Sequence, residues 1–443
     1  MRSLLYSILA ASAAAVSLPN DVGKLPSLGF NSWNAFACNI NEQIFLEAAS
    51  VLLKEGLKDV GYTYVNIDDC WSIKSGRDSA TGRIMPDLTK FPDGIQGTAQ
   101  KIHDMGLKIG IYSSAGEITC AGYPASLGHE TTDAQTFAEW GIDFLKYDNC
   151  FSLNVESQSG DNDTCHACVP DRANENNWAT STPGPNGTCT GDNLCVSGYD
   201  YSQSSTYARY EAMSQALSSV DRTILLNLCV WGRADPSQGW GAKLGSSWRI
   251  TGDINPDWSR VVEIINQATF QLDTVGFGSH IDMDLLEIGN SHFTEAETRS
   301  HFAIWAGFKS PLLIGANLSN LASSELNVLK NSYLLAFNQD SSVGEPVKPY
   351  KWGDNPDWTF NERSPAQFYS GASSNGTLVL MFNPSEATQR KEALFSEIPQ
   401  LQSGSKFNAV DVWSGQDLGC IDSSYSVDVS SHDTAAILFG AAC

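Results

Sequence analysis

Short apolar runs alternate along the chain with stretches whose apolar residues recur at helical spacing, and this rhythm holds from about residue 28 to residue 315. The runs LGFNSW (28–33), YTYVNIDD (62–69), LKIGIYSS (107–114), IDFLKYD (142–148), TILLNLC (223–229), SWRITGD (247–253), DTVGFGSHIDMD (273–284) and SPLLIG (310–315) read as strands. Between them, IFLEAASVLLKEGL (44–57) reads as a helix closing on Gly56, TDAQTFAEWG (132–141) as one opening on Thr132, and EAETRSHFAIWAG (295–307) as one opening after Thr294. Strands alternating with helices over residues 25–335 predict an α/β fold, a (β/α)8 TIM barrel. A doubly wound sheet often carries a glycine-rich phosphate loop, and neither GxGxxG nor GxxxxGK[ST] occurs.

The pattern changes after residue 340. DSSVGEPVKP (340–349) reads as a linker, and QFYSG, GTLVLMF, FNAVDVW and TAAILFG follow as strands separated by turn residues. Residues 345–443 are therefore expected to form a C-terminal antiparallel β-sandwich. Residues 151–204 also break the rhythm. They are polar, hold Cys165, Cys168, Cys189 and Cys195, and follow the fourth strand directly. A loop of this length calls for a function or a staple, so its four cysteines are expected to pair among themselves.

Composition narrows the class. Asp and Glu number 50 against 27 Lys and Arg, a net charge of −23. That disfavours nucleic acid and anionic membranes as partners and is indifferent to a neutral substrate. Residues 1–17, MRSLLYSILAASAAAVS, read as a signal peptide rather than a membrane anchor. A secreted chain with 11 cysteines is expected to carry disulfides. Cys420 should pair with Cys443, leaving Cys229 as the free thiol. Sequons at Asn162, Asn186, Asn317 and Asn375 mark glycosylation candidates.

In a barrel of this kind the chemistry sits at the C-terminal strand ends. This chain puts Trp33, Asp68, Asp69, Tyr112, Lys146, Asp148, Cys229, Trp231, Arg249, Asp253, Asp282 and Asp284 there. One strand-end aspartate is more often a helix cap than a catalyst, but carboxylates end five different strands. Carboxylates with aromatics, without HExxH or GxSxG, point to glycoside hydrolysis by an acid and a base or nucleophile, with no metal or cofactor expected. Lys146 and Asp148 share strand parity, so lysine is expected to keep Asp148 ionised, and Cys150 to tie the strand end to a neighbouring loop.

The motifs IDDCW, KYDNC, LC-W-G, WRITGD and the opening LGFNSWNAF resemble glycoside hydrolase family 27, the family of α-galactosidases and α-N-acetylgalactosaminidases. The resemblance runs from about residue 25 to the C-terminal sandwich. It implies a retaining enzyme acting on terminal α-galactosides, with Asp148 as nucleophile and Asp253 as acid/base. It further implies Asp68 and Asp69 as ligands of the sugar 4- and 6-hydroxyls, Trp33, Tyr112, Lys146, Cys229, Trp231, Arg249 and Asp284 as further sugar contacts, and disulfides Cys38–Cys70 and Cys120–Cys150. Like-charge repulsion from Asp148 is expected to raise the pKa of Asp253. Three features depart from the family pattern. The insertion 151–204 is much longer than the usual loop. Asp282-Met283-Asp284-Leu285 replaces Asp-Pro-Asp-Met, and Val230 stands where α-galactosidases often carry an acidic or amide residue near the sugar C2 substituent. The alternatives are an α-N-acetylgalactosaminidase and a non-catalytic galactoside-binding protein.

Overall fold

A computed structural model describes residues 15–152, 163–168, 182–183, 189–190, 193–290, 292–361, 363–402 and 404–443. Most of the expected signal sequence, Asn162, Asn186 and most of the 151–204 segment lie outside the described residues.

Eight parallel strands stand in chain order in one sheet: β1 (Leu28–Asn31), β2 (Tyr64–Asn66), β3 (Lys108–Ser114), β4 (Phe144–Asp148), β5 (Leu225–Cys229), β6 (Ser247–Arg249), β7 (His280–Asp282) and β8 (Leu312–Ile314). β1 pairs with β8, and the chain just past β7 bridges to β8 at Leu286 and Ile314, which closes the ring. Each strand is buried almost throughout, which explains why the runs are continuously apolar rather than alternating. All eight runs read from the sequence form strands, each shorter than its apolar run.

The principal helices are α1 (Glu42–Lys54), α2 (Gly94–Asp104), α3 (Glu130–Glu139), α4 (Ser205–Ser218), α5 (Trp258–Thr269) and α6 (Glu295–Gly307). In α1 the Asn41 side chain caps the Ile44 amide, and Phe45, Ala48, Ala49 and Leu52 form the buried stripe. It ends at Lys54, two residues before the left-handed Gly56. α3 begins at Glu130 rather than Thr132, because the Asp133 amide already bonds the His129 carbonyl and so starts the ladder earlier. α6 opens with a capping box between Thr294 and Glu297.

The C-terminal domain has a six-stranded antiparallel sheet and a two-stranded ribbon (Gln389–Leu394 with Ser424–Val429). The strand Gly376–Phe382 is apolar on both faces for a reason. Val379 and Met381 join the sandwich core, whereas Leu378, Leu380 and Phe382 pack into the barrel core. Thr269 and Tyr369 hydroxyls, 3.0 Å apart, and the Arg299–Asp433 ion pair add polar ties across the junction. Cys420 and Cys443 form a disulfide in this domain. Asn375 is exposed on a hairpin tip, and Asn317 is half-buried with its side-chain oxygen accepting the Ser319 amide. Among the described residues no helix is long and apolar enough to cross a membrane.

Candidate active site

Register in the barrel sets the first contacts. β3 and β4 align Tyr112 with Lys146 and Ser114 with Asp148, and β4 and β5 align Asp148 with Cys229. The side chains of alternate residues thus emerge together at the C-terminal mouth. The Tyr112 hydroxyl donates to Asp148 Oδ2 at 2.7 Å, and the Asn149 amide donates to Oδ1 at 2.9 Å. Cys150 is bonded to Cys120 on the loop after β3, which pins the end of the Asp148 strand. Cys38 and Cys70 are bonded beyond β1 and β2, next to that disulfide, since the Ala121 amide donates to Asp69 at 2.9 Å.

Lys146 does not pair with Asp148. Its Nζ lies 2.8 Å from Asp68 Oδ2, which also accepts from Asn31 Nδ2 at 2.9 Å. The expected lysine guard over Asp148 is therefore corrected. Burial pushes the Asp148 carboxyl up to about 6, outweighing the pull of Lys146, and the charge of Asp253 adds to the rise. Asp69, whose oxygens accept the Cys70 amide at 2.7 Å and the Ala121 amide at 2.9 Å, is likewise pushed up to about 6 by burial.

Arg249, fully buried at the end of β6, organises the other side. Its Nη2 lies 2.9 Å from Asp253 Oδ1 and 2.8 Å from Asp284 Oδ2, and its Nη1 donates to Cys229 Sγ at 3.6 Å. Asp253 sits on the loop beyond β6 with its side chain 65% exposed. Partial desolvation by the protein around the mouth would raise its carboxyl, but Arg249, helped by Lys146 and Arg260, prevails and holds it below the usual carboxylate value. The expected rise at Asp253 is thus reversed: a charge-assisted bond at 2.9 Å to a cation outweighs the more distant Asp148. The buried Asp284 carboxyl is raised instead, burial exceeding the pull of Arg249.

Asp282 points to Asn227 of β5, accepting from its Nδ2 at 2.8 Å, and its other oxygen accepts the Asp284 amide at 2.8 Å. It supports the site from within. Trp33 is half-buried on the turn above β1, its amide held by Asn31 Oδ1 at 2.9 Å. Trp231 packs with Cys150 and Cys229. Cys229 is a buried free thiol, raised well above its ordinary pKa by burial. Val230 is fully buried in the hydrophobic core, so its side chain does not reach the mouth and cannot by itself read a sugar substituent.

Asn31 and Glu287 escaped the reading of the sequence. Glu287 is fully buried, accepts from Asn34 Nδ2 and from Asn290 Nδ2, and so holds the turn carrying Trp33. Their signal was a polar residue within or just beyond an apolar strand. Cys70, Phe151, Trp231 and Asp284 also adopt positive φ (73°, 47°, 55° and 76°), and all four lie just beyond barrel strands at this mouth. Such backbone costs on the order of 1–3 kcal/mol per residue and collects where a site must be held against its local preference. The Cys120–Asp148–Cys150 grouping offers no thiolate to a metal, because both sulfurs are in a disulfide.

In the loop beyond β4, Cys165 is bonded to Cys195, and Cys168 is also disulfide-bonded.

The family model described as alpha galactosidase A matches residues 25–171 and 189–340, and that of the alpha galactosidase C-terminal beta sandwich domain matches residues 363–439. A probable alpha-galactosidase B of Aspergillus oryzae is 52% identical over 98% of this chain and 97% of its own length, and one of Penicillium simplicissimum is 51% identical over 100% and 99%. Among solved structures, alpha-galactosidase I from Mortierella vinacea superposes with a TM-score of 0.77 at 32% identity, covering 95% of this chain and 98% of that one. The alpha-galactosidase of Saccharomyces cerevisiae with raffinose superposes with a TM-score of 0.74 at 28% identity, covering 95% and 98%. Barrel, sandwich, strand-end carboxylates and these likenesses agree: the chain belongs to the alpha-galactosidase (melibiase) family, glycoside hydrolase family 27.

Proposed function

We propose that this glycoside hydrolase removes terminal, non-reducing α-D-galactosyl residues from galacto-oligosaccharides and galactomannan side chains, with retention of configuration. Asp148 attacks the anomeric carbon as the glycosidic bond breaks, and Asp253 gives its proton to the departing oxygen. Asp253 then takes a proton from water, which attacks the same carbon and releases Asp148; two inversions leave the α configuration. Asp68 and Asp69 hold sugar hydroxyls with Lys146, while Trp33, Tyr112, Trp231, Arg249 and Asp284 shape the rest of the subsite. The observation that carries the reading is the anchoring of Asp148: one carboxylate held by Tyr112, the Asn149 amide and a disulfide-pinned strand end, with Asp253 acting on it electrostatically across the mouth.

The resting charges favour a second reading, in which the roles are exchanged: Asp148 has the raised pKa of an acid and Asp253 the lowered pKa of a nucleophile. Position argues against it. A nucleophile needs a fixed approach, which Asp148 has, whereas an acid/base must exchange protons with water, which the exposure of Asp253 allows. Arrival of the leaving-group oxygen beside Asp253 must then loosen its bond to Arg249. Azide decides between them. With Asp148→Ala the rescued product is a β-galactosyl azide, whereas an exchanged mechanism gives that product from the Asp253 variant.

Galactose is preferred over N-acetylgalactosamine in this reading, since Arg249 and Asp253 offer polar partners to a 2-hydroxyl. Rates on aryl α-galactoside and aryl α-N-acetylgalactosaminide test it; faster cleavage of the second reverses the assignment. A binding protein without turnover is excluded by hydrolysis of either. Secretion follows from the reading of residues 1–17, and the disulfides fit an oxidising compartment.

A further inference from the structure

The long segment after β4 leaves the barrel at the nucleophile strand, and one of its residues reaches back. The Asp163 carboxylate sits on the N-terminus of α4. Its Oδ1 accepts the Ser205 amide at 2.6 Å, the Ser205 hydroxyl at 2.7 Å and the Thr206 amide at 3.2 Å, and its Oδ2 accepts the Thr206 hydroxyl at 2.7 Å. The same Thr206 oxygen accepts from Arg209 Nη2 at 3.1 Å, and Arg209 Nη1 donates to the Ala115 carbonyl at 2.9 Å. The Ala115 amide in turn donates to the carbonyl of Asp148 at 2.7 Å. Thr206, Arg209 and Ala115 are all buried. One residue further along α4, Tyr210 packs edge-on against Tyr147 at 5.4 Å, directly behind the nucleophile strand.

We infer that Asp163 is a positioning residue for catalysis: through Thr206 and Arg209 it fixes the ends of β3 and β4, and with them Tyr112 and Asp148. A helix cap alone would need only the two amide bonds. Here Oδ2 is committed to a hydroxyl that relays to a buried guanidinium, and the guanidinium ends on the residue bonded to the Asp148 backbone. Burial of Thr206, Arg209 and Ala115 makes the bonds between them costly to leave unmade, which favours this arrangement. The inference rests on Asp148 being the nucleophile.

The test uses the full-length protein and an aryl α-galactoside. Asp163→Asn retains an oxygen for the two amides but turns an NH2 donor toward Thr206, so the Thr206 hydroxyl proton loses its acceptor and the relay its charge while the cap is kept. Thr206→Val breaks the relay from the other side, and Thr206→Ser keeps it. The expected result is a fall in kcat of about ten-fold or more for Asp163→Asn and for Thr206→Val, with KM within about two-fold. Thr206→Ser restores kcat, and the double variant is no worse than the worse single one. A kcat within two-fold of the parent in folded Asp163→Asn and Thr206→Val overturns the inference, as does a loss in Thr206→Ser equal to that in Thr206→Val. Asp148→Ala with azide, run alongside, separates the two claims: normal activity in Asp148→Ala removes the nucleophile assignment, whereas a dead Asp148→Ala beside an unaffected Asp163→Asn removes only the relay.

Discussion

The two carboxylates facing the barrel mouth are held in opposite ways. Asp148 ends a strand, is 6% exposed, and is fixed by a tyrosine, a backbone amide and a disulfide beside it. Asp253 lies on a loop, is largely exposed, and leans on Arg249. Burial raises the first, and the cation lowers the second. The difference teaches that rigidity and proton affinity are set by separate devices here. In the proposed roles, strand-end anchoring positions the nucleophile without regard to its charge, and an ion pair at an exposed carboxylate sets the charge of the acid/base.

The contrast breaks first at Asp148. Asp148→Ala is expected to lower kcat on the order of 10^4-fold or more, with partial recovery in azide, measured on an aryl α-galactoside. Recovery absent from Asp148→Ala but present at Asp253 would exchange the two roles.

Asp253→Asn should cost about 10^2- to 10^4-fold on substrates with poor leaving groups and much less on nitrophenyl galactosides, because only the former need a proton to depart. Equal losses on both classes count against Asp253 as the acid.

Replacing Cys120 and Cys150 together by serine should remove about 3 kcal/mol of stability, read by denaturant unfolding, since the loop closed spans 30 residues. The same variant should lower kcat while a pair of serines at Cys420 and Cys443, remote from the mouth, should cost stability alone. Loss of kcat in both would mean that anchoring near Asp148 has no special weight.

The smallest effect is on stability against pH. The Asp148 carboxyl titrates near 6 in the folded chain and at its ordinary value of 3.8 when unfolded. Its ionisation therefore weighs against the folded state above pH 6 and not below pH 4. Asp148→Asn should raise stability by up to about 3 kcal/mol at pH 7 and by less than about 1 kcal/mol at pH 4. Asp253→Asn, at an exposed ion pair, should change it by less than about 1 kcal/mol at either pH. A stabilisation of Asp148→Asn that is the same at both pH values would contradict the burial argument.

How much of this was legible follows from the range of each interaction. Strands with their order, the carboxylates at their ends and the sandwich after residue 340 are written locally, in apolar runs, their punctuation and the parity that puts Lys146 and Asp148 on one side. Motifs such as IDDCW and KYDNC carried the family, because each is a strand end with its own turn. The partner of Lys146 was not legible, since Asp68 lies 78 residues away and is brought there only by closing the ring. Nor was the direction of the Asp253 shift, because it depends on which charge is nearer once Arg249 emerges from β6. Val230 reads as a pocket residue from its neighbours, yet the turn after β5 rotates it into the core. Nothing local marks Asp163 within its polar segment, and only the fold sets it on α4. Periodicity therefore determined the scaffold and the list of candidate groups. Pairing, burial and proton affinity belong to the tertiary structure, because electrostatic energies follow distances and solvent access between residues far apart in the chain.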